Sequence, residues 1–256
     1  MKQIEVIWDE RGVVIIKLNR SEKMNAITKM MARELQQVLL EMKNKPGVKC
    51  LVITGAGKKA FCAGGDLTEL HGNLNEEEAY QVLHPMKECL YELATFPLPT
   101  FAFLNGHARG GGCEIATACD FRYGIEDGEY GFIQGRLGIT PGWGGGELLY
   151  KRIQADRAAQ WLMESNMYSA EEAYRIGWLH KIVTRESFDT SHLLLSPFLQ
   201  KSQRQLKIFK SQHLHSLSMS NVSSQMDEEV KNCASLWESK EHVRAVENFM
   251  RTRKKS

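Results

Sequence analysis

The chain has 256 residues, of which 43% are hydrophobic and 25% are charged, so it can form one large core or two modest domains. Its formal net charge of +2 is close to neutral, which excludes a global attraction to nucleic acid or to an acidic membrane surface. The six cysteines form no C-x-x-C pair, and no apolar run approaches membrane-spanning length. We therefore expect no disulfide framework, no metal site and a cytoplasmic protein.

The first fifty-five residues predict a β-hairpin, a helix and a buried strand. Two β-rich runs, IEVIW and VVIIKLN, flank a turn at Arg11–Gly12. From Thr28 onward, apolar residues recur at helical spacing until Pro46–Gly47. The segment CLVIT (50–54) is short and continuously apolar, which is typical of a strand in a buried sheet.

Two glycine-rich loops follow, each between a strand and a helical stretch. The first, GAGKKAFCAGGD (55–66), precedes a predicted helix over 76–95. The second, NGHARGGG (105–112), follows a strand at 100–104 and precedes a predicted helix over 113–120. Because this unit repeats, the sequence predicts stacked layers of one α/β domain. Beyond Pro141–Gly142 the chain is mostly helical, and its last part is predicted to pack on the core or on another subunit.

The second loop has the features of an anion site. Three glycines before a helix leave free N–H groups at the positive end of the helix dipole, and they let a ligand approach the backbone. Gly111 and Glu114 are three residues apart and share a helix face. Small apolar neighbours of Glu114 would raise the pKa of its carboxyl group. Glu114 is thus a candidate acid/base, and an exposed helix glutamate is the alternative interpretation.

Three segments resemble the signature blocks of the crotonase superfamily, also known as the enoyl-CoA hydratase/isomerase family. They are FCAGGDL (61–67), NGHARGGGCEIATACDFR (105–122) and LGITPGWGGG (137–146). Their order and separation make the match far more specific than a single glycine motif. The resemblance implies an α/β fold of the crotonase (ClpP-like) type. A spiral of ββα turns over 1–190 would form the catalytic core, and a helical trimerisation region would cover 191–256.

The resemblance also implies a site for an acyl-CoA thioester, with no further cofactor and no metal. The backbone amides of Gly65 and Gly111 would form an oxyanion hole beside Glu114. The residues carried over as substrate-binding are Ala63, Asp66, Leu67, Gly110, Pro141, Gly142 and Trp143. For Asp66 a helix N-cap is the favoured interpretation, and Trp143 is either a packed aromatic or part of the acyl pocket. Homotrimers or hexamers are implied as the assembly.

One position departs from the family pattern. Hydratases of the family use a second glutamate, and its place falls on Gln134, whose amide orients a ligand but cannot exchange a proton. This substitution argues against ordinary hydration and against a simple double-bond shift. Glu147 is a candidate second acid. His107 and Arg109 could steer a carboxylate or phosphate, although loop residues usually face solvent.

Three functions remain open from the sequence. The default is a lyase of the enoyl-CoA hydratase/isomerase family that stabilises a thioester enolate. The alternative is decarboxylation of a malonyl-type thioester, such as ethylmalonyl-CoA or methylmalonyl-CoA, which needs no base to form the enolate. The segments TACDFR and LGITPGWGGG are similar to ethylmalonyl-CoA decarboxylase-like members. A catalytically degenerate protein that binds acyl-CoA or another partner is the alternative of a different class.

Overall fold

A computed structural model of the chain describes residues 2–70, 74–188 and 191–253. The arrangement is mixed α/β, with helices dominating the C-terminal part. The strands, in chain order, are Ile4–Asp9 (β1), Val13–Leu18 (β2), Cys50–Gly55 (β3), Ala60–Cys62 (β4), Thr100–Leu104 (β5), His107–Arg109 (β6), Phe121–Ile125 (β7), Glu129–Gly131 (β8), Tyr168–Ser169 (β9) and Lys181–Val183 (β10).

The strands form two sheets. The larger has the order β1-β2-β3-β5-β7-β10, and the smaller has the order β4-β6-β8-β9. In the larger sheet β1 and β2 form the predicted antiparallel hairpin, and the other neighbours are parallel. In the smaller sheet β4, β6 and β8 are parallel, whereas β9 is antiparallel to β8.

The α-helices cover most of the remaining chain. They are Lys29–Met42 (α1), Leu67–Leu70 (α2), Glu76–Ala94 (α3), Gly111–Ala118 (α4), Gly145–Arg152 (α5), Ala155–Glu164 (α6), Ala170–Arg175 (α7), Arg185–Phe188 (α8), Ser196–Leu199 (α9), Gln203–Ser216 (α10), Val222–Ser235 (α11) and Lys240–Arg253 (α12). In the described residues, no helix is both long and apolar enough to cross a membrane.

Local signals account for the helices that were predicted well. Thr28 caps α1, because its side chain accepts a hydrogen bond from Met31 N at 3.0 Å. Asn75 caps α3 with a reciprocal bond from its own backbone N–H to Glu78. The helix predicted over 113–120 in fact begins at Gly111. It ends at Ala118, because Cys119 has the extended backbone angle ψ of 154°.

Several short strands were not predicted. β4 and β6 lie inside the two glycine-rich loops, and β9 and β10 interrupt the C-terminal part that was expected to be helical. Each has two or three residues, too few to show an alternating pattern. Their conformation is fixed by pairing with neighbours that are distant in the sequence.

Apolar side chains cover both faces of the larger sheet. The main core lies between this sheet and the helices, and a second cluster around Phe101 and Tyr123 covers the opposite face. α11 packs against α3 and α5, so the C-terminal part contributes to the main core. The division at residue 190 and the role of residues 191–256 in oligomerisation stay predictions.

Candidate active site

The smaller sheet brings three separate chain segments to one edge. Because β4, β6 and β8 are parallel neighbours, their carboxyl ends meet at the same edge. The chain leaves these ends through residues 63–66, through Gly110–Gly111 and through the segment that reaches Gln134. A cavity of about 290 Å³ opens there, and residues of all three segments line it.

The two glycine-rich bends approach each other too closely for side chains. A Cβ added to Gly64 would lie 3.0 Å from Arg109 O and 3.3 Å from Gly111 N. A Cβ on Gly112 would lie 2.2 Å from the carbonyl oxygen of Cys62. Glycine at these positions therefore lets the two bends share one wall of the cavity.

The backbone amides of Gly65 and Gly111 at these bends have no acceptor among the described residues. Ile27 N donates to Gly64 O at 2.8 Å, and Asp66 N donates to Ile27 O at 2.8 Å, which leaves the N–H of Gly65 between them unused. Gly111 N is at the start of α4, where no helical carbonyl can accept it. Within the described residues neither amide makes a hydrogen bond to the protein, and both glycines line the cavity.

Glu114 lies on the first turn of α4 and is buried, with 2% of its surface exposed. Its Oε1 accepts a hydrogen bond from Gln134 Nε2 at 2.8 Å. Its Oε2 accepts from Trp143 N at 2.9 Å and from Gly145 N at 3.0 Å. Burial raises the pKa of this carboxyl group, and the hydrogen bonds offset the shift only in part. Glu114 thus holds a proton more readily than an ordinary glutamate.

Gln134 lies beside Glu114 at the wall of the cavity and is also buried. Its Nε2 binds Glu114, whereas its Oε1 has no hydrogen-bond partner in the described part of the chain. Burying an amide oxygen without a hydrogen-bond partner lowers the stability of the fold. The side chain is therefore suited to accept a hydrogen bond from a ligand or from water in the cavity.

Trp143 packs its ring directly over the start of α4. A Cβ on Gly111 would lie 2.1 Å from the ring, and a Cβ on Gly145 would lie 2.3 Å from Glu114 Cβ. Trp143 is 4% exposed, yet it lines the cavity. Both roles considered for this residue, packing and shaping the pocket, are compatible with this position.

Asp66 has the position of a helix cap. Its Oδ1 accepts from Thr68 N at 3.1 Å and from Thr68 Oγ1 at 2.7 Å, just before α2, and its Oδ2 pairs with Arg20 Nη2 at 2.9 Å. Burial alone would raise the pKa of Asp66, but hydrogen bonds from Thr68 and Arg20 lower it overall. Asp66 therefore stays ionised and structures the loop at the cavity wall.

Most other sequence-predicted residues also reach the cavity. Ala63, Leu67, Gly110 and Gly142 line it. Pro141 does not, because its ring faces α5, where a Cβ on Gly146 would lie 3.4 Å from Pro141 Cγ. Thr140 and Gly142, on either side of Pro141, line the cavity instead.

Glu147 is not part of the cavity lining, and a different glutamate lies near Glu114. Glu229 on α11 accepts from Gly144 N at 2.7 Å and from Glu147 N at 2.7 Å. Burial and the nearby charge of Glu114 raise the pKa of Glu229 to about 8. The sequence alone does not reveal Glu229, because the surrounding DEEV segment has the pattern of a solvated helix face. Cys233 and Trp237 also line the cavity and were not predicted.

His107 and Arg109 differ in where the structure places them. His107 Nδ1 accepts from Glu129 N at 3.1 Å, and the residue does not line the cavity. Arg109 does line it. The Nε of Arg109 is buried and has no hydrogen-bond partner among the described residues. Arg109 thus offers an unused donor next to Gly110 and Gly111.

Comparison with known proteins identifies the family. Residues 9–256 match the enoyl-CoA hydratase/isomerase family. The chain belongs to this family. A crotonyl-CoA hydratase of Syntrophomonas wolfei is 34% identical over 181 residues, which cover 71% of this chain and 69% of that protein. An ethylmalonyl-CoA decarboxylase of Gallus gallus is 36% identical over 174 residues, which cover 68% of this chain and 58% of that protein.

Solved structures of enoyl-CoA hydratase/isomerase family members show the same fold. An enoyl-CoA hydratase from Bacillus halodurans superposes with a TM-score of 0.87 at 21% identity and covers 96% of this chain and 99% of its own. An enoyl-CoA hydratase from Bacillus anthracis has a TM-score of 0.81 at 26% identity, and the match covers 98% of this chain and 96% of that chain. The expected α/β crotonase fold with a helical C-terminal region is confirmed. As a member of this family, the chain is an acyl-CoA enzyme.

Proposed function

We propose that this enzyme binds an acyl-CoA thioester in the cavity and stabilises its enolate with the amides of Gly65 and Gly111. The observation that carries the proposal is that the N–H groups of Gly65 and Gly111, unpaired within the described part of the chain, lie beside the buried carboxyl group of Glu114. In this assignment Glu114 is the acid/base and Gln134 orients the substrate or a water molecule. The remaining lining residues Ala63, Leu67, Gly110, Gly142 and Trp143 would surround the thioester.

The proposed oxyanion hole rests on donors that are already in place. When a proton or a carboxylate leaves the carbon next to the thioester, negative charge develops on the carbonyl oxygen. Two fixed amides stabilise that charge without reorganisation, and the dipole of α4 adds to the effect at Gly111. Loss of one such donor typically lowers kcat by about 10²–10³-fold.

Hydration or isomerisation of an enoyl-CoA is the default reaction, and the relatives named as hydratases support it. Glu114 would transfer the proton in either reaction, since it lines the cavity and holds its proton more readily than an ordinary glutamate. Gln134 would hold the water molecule or the thioester through its unpaired Oε1.

Decarboxylation of a malonyl-type acyl-CoA is a second candidate, and two observations favour it. The site has an amide at Gln134 where a second carboxylate would be needed for ordinary hydration, and Arg109 offers an unpaired donor that suits a substrate carboxylate. In this reaction the bond between the carboxylate and the α-carbon breaks and CO₂ leaves. Its electron pair forms the enolate, which then takes a proton from Glu114 at the α-carbon.

Activity measurements on the purified protein separate the two candidates. Crotonyl-CoA is supplied to test hydration, and ethylmalonyl-CoA or methylmalonyl-CoA is supplied to test CO₂ release. Hydration without CO₂ release supports the default, and CO₂ release without hydration supports decarboxylation. Turnover of neither class would contradict the proposed function.

Arg109→Leu sharpens the comparison, because it removes the charge and keeps much of the volume. If the guanidinium binds a substrate carboxylate, KM for the malonyl-type substrates rises about tenfold or more and KM for crotonyl-CoA is unchanged. An equal rise of KM for all substrates would instead indicate that Arg109 contacts the coenzyme A thioester part that they share.

A further inference from the structure

The start of α5 is held between two carboxylates that come from different helices. Glu114 of α4 accepts from Trp143 N and Gly145 N, at 2.9 and 3.0 Å. Glu229 of α11 accepts from Gly144 N and Glu147 N, at 2.7 Å each. Successive N–H groups from 143 to 145 therefore point alternately to one carboxylate and to the other.

Glycine makes this double contact possible. A Cβ on Gly145 would lie 2.3 Å from Glu114 Cβ, and a Cβ on Gly146 would lie 2.8 Å from Glu229 Oε2. Gly144 has a φ of +85°, in the left-handed region that favours glycine. The segment 143–147 is thus a thin layer of backbone with a carboxyl group on either side.

From this geometry we propose that Glu229 is a positioning residue for Glu114. It fixes the bend whose amides hold Glu114, and the ionised form of either carboxyl group opposes ionisation of the other across that bend. This inference rests on the proposed role of Glu114 as acid/base. It gives the site a second carboxyl group at a place different from Gln134.

The groups around Glu229 do not favour its ionised form. On α3 and α11, Lys87 already pairs with Glu88 and Asp227. His84 of α3 lies 3.5 Å from the same two carboxylates. In the described part of the chain, no cation forms an ion pair with Glu229, which is held only by backbone N–H groups and by the positive end of the α5 dipole.

The remaining titratable neighbours have the same sign when ionised. Burial raises the pKa of the Cys233 thiol, and the charges of Glu114 and Glu229 raise it further, so Cys233 stays neutral. Glu147, in the first turn of α5, is a further acidic side chain near the bend. Glu114 and Glu229 are therefore expected to titrate as a coupled pair, in which ionisation of one disfavours ionisation of the other.

A direct titration tests the proposal without relying on turnover. The full-length protein is labelled with ¹³C at the glutamate side-chain carboxyl, and NMR follows the chemical shifts against pH. Glu114→Gln and Glu229→Gln assign the two resonances. In Glu114→Gln we expect Glu229 to titrate about one pH unit lower than in the wild type, because the charge of Glu114 raises the pKa of Glu229. In Glu229→Gln the side-chain amide can accept hydrogen bonds at only one of its two ends, so the bend is held less firmly. Because the bend amides lower the pKa of Glu114, we expect Glu114 to titrate higher in this variant and the acid limb of the rate profile to move to higher pH.

Glu228→Gln is the matched control, because Glu228 is the exposed neighbour on the same helix. It removes one charge from α11 without touching the bend, so the titration of Glu114 should not move. An unchanged titration in Glu229→Gln, or an equal shift in both variants, would overturn the proposal. If the titration shifts as expected but no acyl-CoA is turned over, the coupling stands and the proposed function fails.

Discussion

Gln134 Nε2 donates a hydrogen bond of 2.8 Å to Glu114 Oε1, inside the cavity and away from bulk solvent. The donor helps to hold the Glu114 carboxylate in one orientation. It also means that only one of the two side chains can exchange a proton near neutral pH. If Glu114 acts as proposed, this pairing leaves it without a second acid or base at the position of Gln134.

Replacement of Glu114 by Gln should lower turnover of the active substrate by about 10²–10⁴-fold, because the amide keeps the shape but cannot transfer a proton. Binding of acyl-CoA, measured by calorimetry, should change little. Glu147→Gln is the comparison, because the Glu147 side chain does not line the cavity, and its activity should remain near that of the wild type. Unchanged turnover in Glu114→Gln would reject Glu114 as the acid/base.

Replacement of Gln134 by Glu should create a second proton-exchanging group beside Glu114. Two adjacent carboxyl groups share a proton, so one of the two pKa values rises. We expect hydration of crotonyl-CoA to become about tenfold faster or more, since both groups can then activate water. Gln134→Leu removes the hydrogen bond without adding a carboxylate. If both variants hydrate crotonyl-CoA equally slowly, the amide is not what limits hydration.

The pH dependence of kcat/KM should report the environment of Glu114. Burial raises the pKa of Glu114, and a general base is inactive once protonated. Activity that needs Glu114 as a base should therefore be lost as pH falls through a pKa above that of an ordinary glutamate. This loss of activity at low pH should be absent from the residual activity of Glu114→Gln. If the acid limb of kcat/KM instead lies at the pKa of an ordinary glutamate, solvent reaches the Glu114 carboxyl group.

Replacement of Gly111 by Ala should destabilise the protein by about 1–3 kcal/mol, because the added methyl group would lie 2.1 Å from the Trp143 ring. Chemical denaturation measures the loss. The double variant Gly111→Ala with Trp143→Leu should recover part of the stability relative to Gly111→Ala alone, since the smaller side chain leaves room. If the double variant is no more stable than the single one, contact with the ring is not the cause.

The sequence predicts the elements whose caps, turns and apolar spacing lie within a few residues of one another. The cap at Thr28 and the apolar spacing after it identify α1, and the runs on either side of Gly12 identify the hairpin. β4 and β9 have three and two residues. They form strands only because partners from other parts of the chain supply their hydrogen bonds, and a single-sequence pattern does not carry that information.

In the candidate site, too, residues that are close in the sequence could be predicted to lie together, whereas residues brought together by packing could not. Gly111 and Glu114 are one helical turn apart, so spacing alone places them together. Glu229 is distant from both in sequence and reaches the bend only because α11 packs on α5. Glu147 was considered from its position four residues beyond Trp143, but its backbone amide, rather than its carboxylate, takes part in the site.

The contribution of α11 has a consequence for how the enzyme is made. The bend at 143–147 keeps its amides aligned only when Glu229 has arrived, and Cys233 from the same helix completes the wall of the cavity. During synthesis the earlier segments leave the ribosome first, and their pocket stays open until this late helix docks. A chain that stops before α11 should therefore be inert, and activity should emerge only after this helix has been synthesised.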